Sequence, residues 1–301
     1  MGSALAALAL APAALAAVPP GADPVPHDPF ATVFAQFERT PTVAFLETHG
    51  SADQHRFLRA LIGQPAFGRL VDDVVVEFGN ARYQVTIDRY VRGERVPSTS
   101  LSRVWMRTTQ TSGVWNDPVY PEFFRAVRTA NLQRPPDERV RVLLGDPPID
   151  WGRIRGPYCP RRPAPNCLDY WIGRRTEHYA SVVLRKVLAR GRRALLVAGA
   201  HHLVRPPADR PWNETGIIEQ RYPGAVFTVK PHDRFGGPDA EELERRLAAW
   251  PSPWLTLTRG TWLGALPPAV AFGEDPGSTH PMLTGRLEDR MDGYLVLRPA
   301  P

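Results

Sequence analysis

The sequence predicts an α/β fold, a mostly parallel central sheet flanked by helices on both faces. Two patterns carry that reading. Short runs of β-branched and apolar residues recur along the 301-residue chain, and stretches with helical spacing separate them. Four of the runs also stop abruptly at a carboxylate or an imidazole, where functional side chains of open α/β sheets sit.

The elements follow in chain order. Residues 1–17 carry no charge and are nearly all Ala and Leu. Ala14-Leu-Ala-Ala17 ahead of Val-Pro-Pro has the small residues of a secretory cleavage site, although the usual basic start is missing. The two readings are an export signal and a disordered tail, and export to the periplasm or beyond is the expectation. The stretch is too short for a membrane span, and no other window qualifies. A Pro-rich linker runs to residue 28, and residues 29–301 are expected to form one α/β domain.

Residues 29–39 put Phe30, Val33, Phe34 and Phe37 on one helical face. Residues 42–46 form the first strand, which breaks into Glu47, His49 and Gly50. Ser51 is placed to cap the next helix, in which His55, Leu58 and Leu61 or Ile62 share a face. The second strand, residues 73–78, carries Glu77 after three valines. Gly79-Asn80 turns the chain into a helix over 82–93 with Tyr83 and Gln84. Helices over 98–109 and 121–132 flank a turn-rich loop at Gly113 that bears Trp115. The third strand, 140–144, runs into Gly145-Asp146.

Residues 147–173 hold six prolines and no periodicity, which marks an irregular excursion of the kind that serves as a lid or binding loop. Within it Cys159 and Cys167, the only cysteines, suit a local disulfide and an oxidising compartment. A helix over 176–189 stops at Gly191. The fourth strand, 194–198, enters Gly199-Ala-His-His202. A short helix over 216–221, a strand over 225–230, a charged helix over 240–249, a strand over 254–258 and a closing edge strand over 294–297 complete the chain.

The net charge of +6 and pI near 9.7 invite a nucleic-acid or membrane partner. All 37 basic residues except Lys186 and Lys230 are arginine, however, and they are scattered through an Ala- and Pro-rich chain. That is a compositional habit, and no nucleic-acid partner is expected. Phosphate loops, dinucleotide fingerprints, serine-hydrolase elbows and His-Glu-x-x-His motifs are all absent.

If the strands are parallel neighbours, Glu47, His49, Glu77, Asp146, His201 and His202 converge on one rim. A carboxylate and an imidazole two residues apart can act as orienter and base, or share a metal. Glu77, after three valines, is costly unless paired, with Arg82 or Arg89 as structural partners. A histidine of the 201–202 pair suits a base or a metal ligand, or else binds backbone carbonyls. Asp146 is a ligand or a turn former, and helix position favours packing or surface roles for His55 and His178.

Together these residues resemble the superfamily of erythromycin esterases, ChaN-like haem-binding proteins and Tiki/TraB proteins. Its pattern is a first strand ending Gly-Glu-x-His, a second ending in Glu and a later one ending Gly-x-x-His. Leu46-Glu-Thr-His49-Gly50 is similar to the first with Leu in place of Gly, Glu77 to the second, and Gly199-Ala-His-His202 to the third. Val140-Arg-Val-Leu-Leu-Gly-Asp146 and Arg175-Thr-Glu-His-Tyr-Ala180 resemble two stretches of the esterase branch. The resemblance spans residues 40–205 and implies a Rossmann-like fold with Glu47, His49, Glu77 and His202 facing a cleft. It implies a hydrolase of ester or amide bonds, acting on a small molecule or peptide. His49 would be its base, or would hold a divalent metal with Glu47, Glu77 and His202, and Arg82 would steady the oxyanion. Its alternative is a haem or metal-complex binder in which Tyr83 or His202 is the axial ligand, with His201, Asp146 and Arg82 nearby.

Overall fold

The computed structural model describes residues 21–110, 113–159, 164–233, 238–275 and 277–297. The signal-like residues 1–17 and the part of the Pro-rich excursion at 160–163 lie outside the described residues.

Seven strands form one sheet: β1 Thr42–Glu47, β2 Asp73–Asn80, β3 Arg141–Asp146, β4 Ala194–Gly199, β5 Val226–Pro231, β6 Trp254–Leu257 and β7 Gly293–Val296. Their spatial order is β3-β2-β4-β1-β5-β7-β6. All neighbours are parallel except β6 and β7. The fold is therefore the expected Rossmann-like α/β sheet.

Its strands are apolar on both faces because helices cover both. Val43, Phe45, Val74, Val76, Leu195 and Val197 pack on one side with residues of the helices Pro29–Arg39, Ala52–Gly63 and Val119–Gln133. Ala44, Leu46, Val75, Leu196 and Ala198 pack on the other with residues of Arg175–Val182, Glu214–Arg221 and Pro238–Leu247. Each buried Val, Leu or Phe among them contributes about 1.5–3 kcal/mol.

One strand differs from expectation. β7 is interior, between β5 and β6, and the antiparallel β6 closes the sheet. All four β7 residues are buried, whereas Leu257 at the end of β6 is exposed. The other edge, β3, is blunted by side-chain amides. Gln84 bonds Val142 O and Leu144 N, and Asn131 bonds both backbone groups of Val140. This satisfies groups that would otherwise invite another strand.

The helix expected over 176–189 is α-helical only over Arg175–Val182, then widens over Val183–Val187 and tightens before Gly191. Gly191 adopts the left-handed conformation that ends it. Cys159 and Cys167 are disulfide-bonded, as their spacing suggested.

Candidate functional site

Alternation along the strands sends the two rim glutamates to opposite faces of the sheet. Glu47 continues the Val43–Phe45 side, toward the helices Ala52–Gly63 and Val119–Gln133. Glu77 continues the Val75 side, toward the start of the helix Arg175–Val182. Pairing of β2 with β3 shifts register between Val76 and Asn80, so Glu77 lies where the regular ladder has ended. Such irregularities re-aim side chains at strand ends.

Glu47 is buried and holds three donors. His49 Nδ1 lies 2.7 Å from Oε2, while His55 Nε2 at 2.8 Å and the Tyr120 hydroxyl at 3.0 Å bond Oε1. Burial raises the Glu47 pKa, but the bonds from His49 and His55 outweigh it and hold it below the usual carboxylate range. An ionised carboxylate only accepts, so each histidine carries a proton on the nitrogen facing Glu47. His49 Nε2 is left as a lone pair, on a side chain 35 % exposed. Burial lowers the His49 pKa, and the hydrogen bond and charge of Glu47 more than offset it, so the ring is more basic than usual.

The loop bearing His49 is fixed from several sides. Gly50 has φ +76°, a turn that a side chain would strain. Its N–H donates to the Tyr120 hydroxyl at 2.9 Å. Thr48 donates to Asp233, and Trp115 packs edge-on to the His49 ring with centroids 4.7 Å apart.

Glu77 is surrounded by cations. Arg175 Nη2 and His202 Nε2 both meet Oε1, the histidine at 3.0 Å, and the Gly199 N–H donates to Oε2 at 2.8 Å. Burial raises the Glu77 pKa, but the charge and hydrogen bond of His202, then Arg175, bring it down to about 2. His202 in turn bonds Glu214 through Nδ1 at 2.7 Å. Burial lowers its pKa, but the charge of Glu77 and the bond to Glu214 carry it up to about 10, so it is an imidazolium at neutral pH.

The two clusters meet over Gly199. A Cβ built there would lie 3.1 Å from His49 Cε1, 3.4 Å from His49 Nε2 and 3.5 Å from Glu77 Oε2. The missing side chain lets the imidazole edge and the Glu77 carboxylate share one small region above β4. No protein-family model and no curated protein sequence matches the chain. Solved structures match its fold. One is a succinoglycan biosynthesis protein at 9 % identity and TM-score 0.62, covering 92 % of this chain and 94 % of that one. Another is an erythromycin esterase mutant in its open conformation, at 11 % identity and TM-score 0.57, covering 89 % and 93 %. A third is a protein from Bacillus cereus, at 11 % identity and TM-score 0.56, covering 92 % and 94 %. The chain shares its overall fold with these three proteins.

On this fold Glu47, His49, Glu77 and His202 come together, and Asp146 lies beside them. Asp146 is buried at the end of β3, held by the Thr109 N–H and hydroxyl, with Arg175 Nε at 3.9 Å. Burial outweighs the bonds from Thr109 and pushes its pKa up to about 7. The other expected residues lie elsewhere. His201 packs against Trp212 and His280, with ring centroids 5.1 and 5.3 Å away. Arg82 pairs with Asp150, and Tyr83 lines a separate cavity with Arg103, Arg107, Asp150 and Trp151. Neither Arg82 nor Arg89 neutralises Glu77; Arg175 does, and Arg89 pairs with Glu94.

Four residues of the clusters were not expected at the rim: His55, Tyr120, Arg175 and Glu214. His55 spacing suggested packing, and it does pack against Phe78, Tyr120 and Phe123, but it also reaches Glu47. Arg175 opened a helix singled out by resemblance, which is the one signal that could have found it.

The donor set does not fit a divalent ion as arranged. Each glutamate oxygen pair already takes three donors, two of the partners of Glu77 are cations, and both His202 nitrogens are engaged. Among the described residues, the His, Cys, Asp and Glu atoms close enough to share an ion are those of Cys159, Cys167 and Asp169, and the two sulfurs are bonded to each other. A haem iron fits His202 no better, because ligation would break its bond to Glu77 or Glu214.

Proposed function

We propose that the chain is a hydrolase of ester or amide bonds in which His49 is the general base. The observation that carries this is the buried, ionised Glu47 bonded to His49 Nδ1, with Nε2 left open on a partly exposed ring. Water gives a proton to His49 Nε2 as its oxygen adds to the carbonyl carbon. The tetrahedral intermediate then collapses, and the departing alkoxide or amine takes that proton back. Arg175 and the His202 imidazolium supply positive charge beside the region where the oxyanion develops. This gives Arg175 the role expected of Arg82. The likeness in fold to an erythromycin esterase supports the reaction class, and the open His49 side chain supports a small-molecule or peptide substrate.

The disulfide supports an exported protein, and among the described residues no helix is long and apolar enough to cross a membrane.

The test is an ester and amide panel on the wild type and His49→Ala. Turnover should fall by ~10²–10⁴, the range for loss of a positioned base, with the circular dichroism spectrum unchanged. Because the base works as the neutral imidazole, wild-type kcat/KM should rise with pH, with its midpoint above 6.5. Equal turnover by the two proteins would rule out His49 as the base.

A further inference from the structure

Beyond the rim, a cavity of about 310 Å³ opens near the ends of β2 and β3, lined by Tyr83, Arg103, Arg107, Asp150, Trp151 and Gly152. Its charges are not balanced. Asp150 is the one carboxylate in the lining, and its donors are already present: Arg82 at 2.9 Å, Arg153 at 3.4 Å and the Gly152 N–H at 3.1 Å. Arg103 opens the short helix Arg103–Met106, Arg107 follows its end, and both line the cavity. Among the described residues neither has a carboxylate at ion-pair distance. Both guanidinium side chains are exposed, and they line this open depression together with two aromatic rings.

One of those rings is fixed. The Trp151 indole N–H donates to the carbonyls of Arg107 and Thr108, both at 3.1 Å, so its face is held as a wall. Tyr83 is half-buried and packs against the main core. A guanidinium offers parallel N–H donors to a carboxylate or phosphonate, and an aromatic wall offers stacking to a flat ring. The cavity is too small for a large ligand but has room for one ring with one anionic group.

We propose that this cavity is a binding site for a small aromatic anion, with Arg103 and Arg107 taking the anionic group and Trp151 the ring. The site is independent of the hydrolase reading. It adjoins the rim through Thr109, which holds Asp146 two residues after Arg107.

The test is calorimetric titration of the whole protein with phenylphosphonate, which has no ester bond to cleave. Methylphosphonate tests the charge alone and benzyl alcohol the ring alone. Phenylphosphonate should bind at one saturable site. Affinity should fall by about tenfold or more in Arg103→Gln and in Arg107→Gln, as for loss of a charge-assisted pair, and weaken with salt. Methylphosphonate should bind about tenfold more weakly, and benzyl alcohol should not compete. Arg245→Gln, a change of the same charge on an exposed helix, should leave binding unchanged. Absence of saturable binding to the wild type would overturn the proposal. So would wild-type affinity in both cavity variants, competition by benzyl alcohol, or an equal loss in Arg245→Gln. Thermal melts of each variant separate a lost site from a lost fold.

Discussion

Glu47 and Glu77 are both buried carboxylates at the ends of parallel strands, each holding three donors, yet they are neutralised differently. Glu47 faces an aromatic side and takes its bonds from two imidazoles and a phenol. Nothing around it need be a cation, so its negative charge is expressed on its neighbours, chiefly as a more basic His49. Glu77 faces Arg175 and a protonated His202, and its charge is compensated on the spot. The same residue type thus gives an activating carboxylate on one face and a fixed ion-pair platform on the other. The partner's charge, more than the burial, makes the difference.

The comparison can be broken most severely at Glu47. In Glu47→Gln one amide oxygen can still accept from His55 and Tyr120, but the amide N–H₂ would face His49 Nδ1. The imidazole proton would move to Nε2, which removes the base. The equivalent amide replacement in a serine-protease triad costs on the order of 10⁴ in rate, and a loss of that order is expected here. Residual activity should also show its acid limb at lower pH, because the charge that raised the His49 pKa is gone. A variant with wild-type rate and an unmoved limb would mean that Glu47 is only structural.

Removing Glu77 should act on stability first. Glu77→Ala leaves Arg175 and His202 facing each other without their shared carboxylate, and breaking a buried pair in this way costs about 3–5 kcal/mol. The loss should depend on pH in a defined window. Glu77 has its pKa lowered from 4.5 to about 2, so its contribution is full above 4.5 and fades as pH falls toward 2. His202 has its pKa raised from 6.5 to about 10, so its contribution is full below 6.5 and fades as pH rises toward 10. Urea unfolding of the wild type and variant should differ most between pH 4.5 and 6.5. A difference that does not vary with pH would argue against a charged platform.

The division between the faces also explains what could be read in the sequence. Strands β1 to β5 were legible because each is a continuous apolar run, and β1 to β4 end in polar groups that break the run. Glu47, His49, Glu77 and His202 could be brought to one rim by their places at the carboxyl ends of parallel strands. The partners that set their protonation could not. Tyr120 and Glu214 reach the rim only because their helices dock over particular strand ends, 73 residues from Glu47 in one case. His55 follows the pattern of a core residue, and that pattern is silent about the one nitrogen that bonds Glu47. Arg82 was the nearest arginine in sequence to Glu77, but the turn after β2 carries it to Asp150 instead. The placement of β7 was missed for a similar reason. Four residues carry no signal of their neighbours.

The mildest test asks how much of the Glu47 side depends on its phenol. Tyr120 donates to Glu47 and accepts the Gly50 N–H, so it ties the carboxylate to the loop that carries His49. Tyr120→Phe keeps the ring and its packing against Phe78 and Trp115 and removes only the oxygen. The hydrogen bond to an ionised group is the larger loss, and about 1.5–3 kcal/mol of stability should go with it. The catalytic effect should be smaller than in the other variants and of opposite sign to Glu47→Gln in its pH dependence. With one donor fewer, Glu47 attracts the His49 proton more strongly, and the acid limb of kcat/KM should move up by less than about one pH unit. If it moves down instead, the phenol acts through the shape of the loop, and the charge on Glu47 is not what tunes the base.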